Sequence, residues 1–113
     1  MNILLTKTFH FSASHSKAGK VFGHNYTLGV TIQSADSDSE RVLEEKVNAF
    51  IIHRVESRDL GLHVDFLKGI PISDQNILNI FWEILEREIK PLGLSRLTLA
   101  RDERSQVTME SRA

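Results

Sequence analysis

Two stretches in which every second residue is apolar stand at the start of the chain, and they constrain its fold more than any other feature. Residues 3–14 place their apolar side chains on one face, interrupted by Lys7, and residues 24–33 repeat the pattern. Such alternation predicts two antiparallel strands with one buried face. The link Ser16–Gly23 contains two glycines, which predicts a wide hairpin. The apolar residues are Ile3, Leu5, Phe9, Phe11 and Ala13, followed by Tyr26, Leu28, Val30 and Ile32.

The middle of the chain changes to a helical repeat. Apolar residues recur at intervals of three and four in residues 42–55 and again in residues 77–89, which predicts two amphipathic helices. Ser73 precedes the second stripe as its predicted N-cap. Alternation returns in residues 96–101 and 107–109. The order β-β-α-α-β-β predicts an α+β fold, with a four-stranded antiparallel sheet and two helices on one face.

The composition bounds the function. The 113 residues suit a single domain that covers residues 1–113. Fourteen basic and fifteen acidic residues give a net charge of -1, which offers no overall field for nucleic acid or an anionic membrane. We see no apolar run of the ~20 residues that a membrane helix needs and no signal peptide, so we expect a cytoplasmic protein. The chain has no cysteine, which excludes disulfides, thiolate metal ligands and cysteine nucleophiles.

Two histidines are candidates for metal or ligand binding. His15 continues the apolar face of the first strand, and Phe22 and His24 continue that of the second, so all three are predicted at one end of the same sheet face. Catalytic zinc sites use three protein ligands. Phenylalanine offers none, so we expect at most weak metal binding. The simpler interpretation is that both histidines are polar strand-end residues bonded to the backbone.

The motifs "FSASH", "GHNY" and "DQNILNIFWEIL", followed by a closing hairpin, resemble in this order the 6-pyruvoyltetrahydropterin synthase family, which includes the 6-carboxytetrahydropterin synthases. The resemblance runs from about residue 9 to residue 109. It implies the tunnelling fold, in which subunits join sheet edge to sheet edge into a barrel, usually a homotrimer, and two rings often stack into a hexamer. It also implies active sites between subunits that act on 7,8-dihydroneopterin triphosphate, with zinc bound by three histidines.

By this resemblance His15 and His24 fall on two of the family's zinc ligands, and Phe22 falls on the third. The family's catalytic cysteine has no counterpart in this chain. The family's aspartate–histidine pair, which moves the proton, falls on Glu56 and Ser57. Serine has no group with a pKa near neutral, as proton transfer requires.

The family's pterin-anchoring glutamate falls on Arg101, and the threonine that follows it falls on Asp102. A slip of two residues would bring Glu103 to the anchoring position instead. The start of the second helix adds Asp74 and Gln75 as ligand-binding candidates. Because an arginine side chain has only donors, Arg101 would suit an acceptor-rich or anionic ligand better than an ordinary pterin.

Two functions from different classes stay open. One is a pterin synthase or lyase of this family with altered residues or an altered substrate, in which His63 is a candidate for the missing relay histidine. The other is a non-catalytic tunnelling-fold subunit that binds a pterin- or purine-like ligand or pairs with a catalytic paralogue. Because the cysteine, the relay histidine and one zinc ligand are absent, we expect the family's reaction to be slow or absent.

Overall fold

A computed structural model of the chain describes residues 3–111, and its strands form one antiparallel sheet in the order β1-β2-β3-β4. The strands are β1 (Leu5–Lys17), β2 (Lys20–Ile32), β3 (Leu94–Arg101) and β4 (Ser105–Glu110). The helices come between β2 and β3 in the chain. This architecture confirms the predicted α+β fold.

Two helical rods cover one face of the sheet. The first begins as α1 (Ser37–Val47), continues through a π-helical segment (Asn48–Ile52) and ends in the short α2 (His53–Val55). The second is α3 (Asp74–Glu88), and the Ser73 hydroxyl caps it by accepting a backbone N–H of the first turn, as predicted. Within the described residues, no helix is long and apolar enough to cross a membrane. Short 3₁₀ turns are Asp65–Leu67 and Lys90–Leu92.

The hydrophobic core lies between the sheet and the helices. The predicted inward residues of β1 are buried from Phe9 to Ala13, and those of β2 are buried from Tyr26 to Ile32. They pack with the apolar stripes of α1 and α3. Lys7 breaks the apolar pattern of β1 because it reaches α1, where its Nζ lies 3.2 Å from Glu40 and 3.4 Å from Glu44. This charged residue of β1 therefore links the sheet to the first helix.

The hairpin between β1 and β2 is tighter than predicted. Lys17 pairs with Lys20, and only Ala18 and Gly19 stand between them. Both turn residues have left-handed backbones, with φ of 53° and 78°, as in the two-residue turns that match the twist of antiparallel strands. The prediction of a wide loop over Ser16–Gly23 is wrong, because most of these residues extend the two strands.

The two long strands project beyond the rest of the sheet. β3 pairs with β2 only as far as the pair Tyr26 and Arg101, so residues 14–24 form a two-stranded arm. The outer edge of β1 is partly covered, since Ser14 exchanges backbone hydrogen bonds with Arg58 and Leu60, at 2.9 and 2.7 Å. The molecule is accordingly elongated, measuring 50 Å along its longest axis.

We expect Gly29→Ala to destabilise the fold. Gly29 lies opposite Thr98 in the sheet, and an added Cβ would lie 2.5 Å from the Thr98 hydroxyl. Overpacking of this kind should lower the free energy of unfolding by roughly 1–3 kcal/mol in a denaturant titration. Gly23→Ala is the matched control, because a Cβ there meets nothing within 4 Å. Equal losses for the two variants would contradict this account of the sheet.

Candidate functional site

A cavity of about 610 Å³ opens where the arm leaves the four-stranded sheet. Its walls are residues 15–17 of the arm, residues 71–74 at the start of α3, and Arg101 at the end of β3, with Tyr26 between them. Burial raises the pKa of Tyr26 to about 12. The volume lies within the ~300–1,000 Å³ that small-molecule sites occupy.

An ion pair forms one wall of this cavity. The Nε of Arg101 lies 3.3 Å from Oδ2 of Asp74, and the Asp74 side chain is only 16% exposed. Asp74 is the first residue of α3, where the helix dipole favours a negative charge. The guanidinium has further N–H donors and the carboxylate has a second oxygen. The pair therefore offers a ligand donors and an acceptor side by side.

Four aromatic rings follow one another along the inner face of the arm. The ring centroid of His15 lies 5.5 Å from that of Phe22 and 5.4 Å from that of His24, and His24 lies 6.0 Å from Tyr26. Burial lowers the pKa of His15, and the neighbouring His24 and Arg101 add to this effect. The structure thus brings His15, His24 and Phe22 together as predicted, with a neutral His15 ring favoured.

An aspartate holds the second histidine. Nδ1 of His24 lies 2.6 Å from Oδ2 of Asp102, while the backbone N–H of Asn25 donates to Oδ1 at 2.8 Å. These hydrogen bonds hold the pKa of the Asp102 carboxyl below its usual range. Asp102 reaches this position from a left-handed backbone with φ of 51°, which aspartate tolerates better than most residues.

Sequence reasoning singled out Asp102 by its position but missed its contact with His24. The register of β2 and β3 decides this contact, since the pairing of Tyr26 with Arg101 places the next residue of the chain beside His24 and Asn25. No motif in the sequence gives that register. Lys17 and Ser73 also line the cavity and were missed as site residues, because both depend on where the arm and α3 meet.

The histidines supply only part of a zinc site. Nδ1 of His15 and Nε2 of His24 are buried, with no hydrogen-bond partner in the part of the chain described. Zn–N bonds of about 2.0–2.1 Å would place two imidazole centroids roughly 5 Å apart, close to what is observed. The ring of Phe22 lies beside them and has no atom that can bind a metal. Across residues 3–111, no group of three or more His, Cys, Asp or Glu side chains could hold a metal ion. These residues do not fit a three-histidine zinc site.

The structure does not bring the predicted relay residues to the cavity. The Glu56 carboxylate accepts the backbone N–H of Ser12 at 3.0 Å, and the backbone N–H of Ser57 donates to the Ser12 carbonyl at 2.6 Å. Both contacts tie the segment after α2 to the outer edge of β1. His63 is exposed in the following loop and does not line the cavity either. The predicted roles of Glu56, Ser57 and His63 in proton transfer stay predictions, because none of the three lines the cavity.

The four ligand-binding candidates separate into two groups. Arg101 and Asp74 meet in the cavity, as described above. Gln75 is exposed and does not line it, and Glu103 lies in the turn between β3 and β4. Glu103 instead lines a second cavity of about 590 Å³, together with outward-facing residues of β1 and β2. This acidic cavity lies on the face of the sheet opposite the helices and also includes Glu56 and Asp102.

Comparison with known proteins assigns the chain to a family. No curated protein matches the sequence. The fold is similar to that of 6-pyruvoyl tetrahydropterin synthase from Caenorhabditis elegans, with a TM-score of 0.81 over 97% of this chain and 96% of that chain, at 21% sequence identity. The model of the 6-pyruvoyl tetrahydropterin synthase family matches residues 4–112, which confirms the resemblance seen in the motifs. This chain therefore belongs to the 6-pyruvoyl tetrahydropterin synthase family.

Proposed function

We propose that this chain binds a pterin- or purine-like heterocycle in the cavity between the arm and α3. The ion pair of Arg101 and Asp74 carries the proposal. The heterocycles in question present a ring N–H beside a ring C=O, so one edge needs an acceptor and a donor together. The carboxylate of Asp74 can accept the N–H, and the guanidinium of Arg101 can donate to the carbonyl.

The ion pair also argues against a purely anionic ligand. Arg101 taken alone suits an anion, but Asp74 lies against it and offsets its charge. An anion in this position would face the Asp74 carboxylate as well as the guanidinium. We therefore revise the expectation from the sequence and favour a neutral ring at the pair. Lys17, on another wall of the same cavity, offers an ammonium group for an acidic substituent of the ligand.

We expect Asp74→Asn to weaken binding of such heterocycles roughly 10- to 100-fold, because hydrogen bonds to charged groups contribute about 1.5–3 kcal/mol. Calorimetric titration with a pterin, with guanine and with their phosphorylated forms measures the effect. Gln75→Ala is the matched control, since Gln75 lies in the same helical turn and outside the cavity.

Two results would contradict this assignment. One is equal affinity of Asp74→Asn and the unaltered protein for the heterocycles. The other is tight binding of inorganic phosphate with no preference for a ring, which would return Arg101 to the role of an anion site.

The second candidate function is a pterin synthase or lyase reaction, which the hydrogen-bonded His24 and Asp102 beside the cavity favour. We expect purified protein to convert 7,8-dihydroneopterin triphosphate slowly or not at all. The chain has no cysteine, and Ser57 falls on the relay histidine of the family. Positioned acid–base catalysis is typically worth about 10²–10⁴-fold, so its loss alone should be visible in a turnover assay. Turnover at a rate normal for the family would establish the enzyme and reject the binding-only role.

For the metal, we propose at most weak zinc binding, because two imidazoles are available instead of three. Zinc bound to purified protein should be lost on dialysis against a chelator, as measured by elemental analysis. In a direct titration, His15→Ala should weaken the residual binding. His10→Ala should leave it unchanged, since His10 is exposed and hydrogen-bonded to Thr27 instead. Stoichiometric zinc that survives the chelator would show that this site is complete.

We also propose that copies of the chain join sheet edge to sheet edge into a homotrimer or a hexamer. The backbone groups of Ser12 and Ser14 bond to residues 57–60 rather than to β2. The even-numbered residues of β1 therefore point their backbone groups away from β2. By the same alternation, the backbone groups of Thr6, Thr8 and His10 also point away from β2. Within residues 3–111, none of these groups forms a backbone hydrogen bond outside the sheet. β4 forms the other edge of the sheet. Open edges of this kind favour pairing with another chain.

A further inference from the structure

The cavity between the arm and α3 offers a ligand more donors than anionic acceptors. Among the described residues that line it, Asp74 is the only carboxylate, whereas Lys17 and Arg101 are both cationic. Arg101 also occupies part of that carboxylate, because its Nε lies 3.3 Å from Oδ2 of Asp74. The ion pair therefore leaves one carboxylate oxygen, Oδ1, for a ligand.

A buried tyrosine lies beside this ion pair. Tyr26 is only 2% exposed, yet it lines the cavity. Burial is the main cause that raises its pKa, the charge of Asp74 raises it further, and the charge of Arg101 lowers it, so both charged groups are close to the Tyr26 hydroxyl. Within residues 3–111, this hydroxyl forms no hydrogen bond. A buried hydroxyl without a partner is costly, which marks it as a group that a ligand can satisfy.

The other hydroxyls of the cavity walls are already engaged. Ser73 accepts the backbone N–H of Asn76 at 3.1 Å as the cap of α3. Ser16 donates its hydroxyl proton to Asp59 at 2.7 Å, and Asp59 does not line the cavity. Tyr26 is thus the hydroxyl of these walls that the described part of the chain leaves for a ligand.

Heterocycles of the proposed class differ in what flanks their ring N–H. In pterin and guanine, a carbonyl stands on one side of the N–H and an amino group on the other. In lumazine and xanthine, a second carbonyl replaces that amino group and gives an imide edge. An N–H beside an amino group presents two donors, which the two oxygens of one carboxylate match. An imide edge needs one acceptor between two donors instead.

We propose that the cavity binds the imide edge of a dioxo heterocycle, with Asp74 accepting the ring N–H and with Arg101 and Tyr26 donating to the two carbonyls. This inference rests on the proposed function, in which Asp74 and Arg101 bind the ring. It narrows the ligand to rings that carry no amino group beside the N–H. Oδ1 of Asp74 is the single acceptor, and the guanidinium N–H groups and the Tyr26 hydroxyl are the donors on either side.

An amino group at this edge would have no carboxylate oxygen to bind, because Arg101 occupies Oδ2 of Asp74. Opposite Arg101 the amino group would set donor against donor, since a guanidinium has no acceptor. Opposite Tyr26 it would meet a neutral hydroxyl, and hydrogen bonds to neutral groups are weaker than those to a carboxylate. Both orientations of pterin or guanine are therefore poorer matches than an imide.

Matched pairs of rings test this preference in the unaltered protein. Lumazine differs from pterin, and xanthine from guanine, by a carbonyl in place of the amino group. We expect calorimetric titration to give roughly 10- to 100-fold tighter binding of the dioxo member in each pair, because a polar group left without its partner costs about that much affinity.

Removal of one hydroxyl tests the role of Tyr26. We expect Tyr26→Phe to weaken binding of lumazine and xanthine roughly 3- to 10-fold, the usual net worth of a hydrogen bond, and to leave pterin and guanine nearly unchanged. Phenylalanine keeps the ring that stacks on Phe11 at 4.9 Å, so the variant should fold, as thermal unfolding will show. Thr27→Val is the matched control, since it removes a hydroxyl from the next residue of β2, outside this cavity.

The possible failures separate this inference from the proposed function. If none of the four rings binds, the proposed function is wrong and the imide preference is wrong with it. If pterin and guanine bind as tightly as lumazine and xanthine, or more tightly, the proposed function stands and the imide preference is overturned. An equal loss of affinity for all four rings in Tyr26→Phe would also overturn it, because the hydroxyl would then not read the second carbonyl.

Discussion

The pairing of β1 with β2 is the constraint on which the candidate site depends. The two strands have thirteen residues each, and the two-residue turn at Ala18 and Gly19 sets their register. A slip of one residue would move every side chain of a strand to the other face of the sheet. The burial of Phe9, Phe11 and their neighbours therefore also decides that His15 and His24 face the helices. Core packing positions the two histidines before any ligand is involved.

The site arises where the sheet ends unevenly. β3 stops at Arg101, opposite Tyr26, while β1 and β2 continue into the arm. The turn after β3 then brings Asp102 back to His24, and α3 begins where Asp74 can reach Arg101. Each of these contacts joins parts of the chain that are distant in sequence. Together they bring two imidazoles, a carboxylate and an ion pair to this end of the sheet.

The same uneven end leaves part of the arm exposed. Val21 and Phe22 are exposed there, and Phe22 stacks on His15, which lines the cavity of Arg101. The fold is similar to that of a C. elegans protein at only 21% identity, so most residues can differ while the fold is kept. The chemistry of the site depends on a few residues that the fold does not prescribe.

The sequence by itself determined the order of the elements, the buried faces and the N-cap at Ser73. These features follow from spacing of two or of three to four residues, which is local and can be counted along the chain. It also determined the face of His15 and His24, since parity within a strand is local too. It did not reveal the tight turn, because the two glycines of Ser16–Gly23 allow either a wide loop or a two-residue turn.

Only the tertiary structure decided which candidates meet. It joined Arg101 to Asp74 and His24 to Asp102, and it left Glu56, Ser57 and His63 outside the cavity. The first two contacts depend on the register between β2 and β3 and on where α3 begins relative to the sheet. Contacts of this kind join residues up to 78 positions apart, and no local spacing encodes them. The charge of Arg101 could be read from the sequence, but the carboxylate that offsets it became visible only in the packed fold.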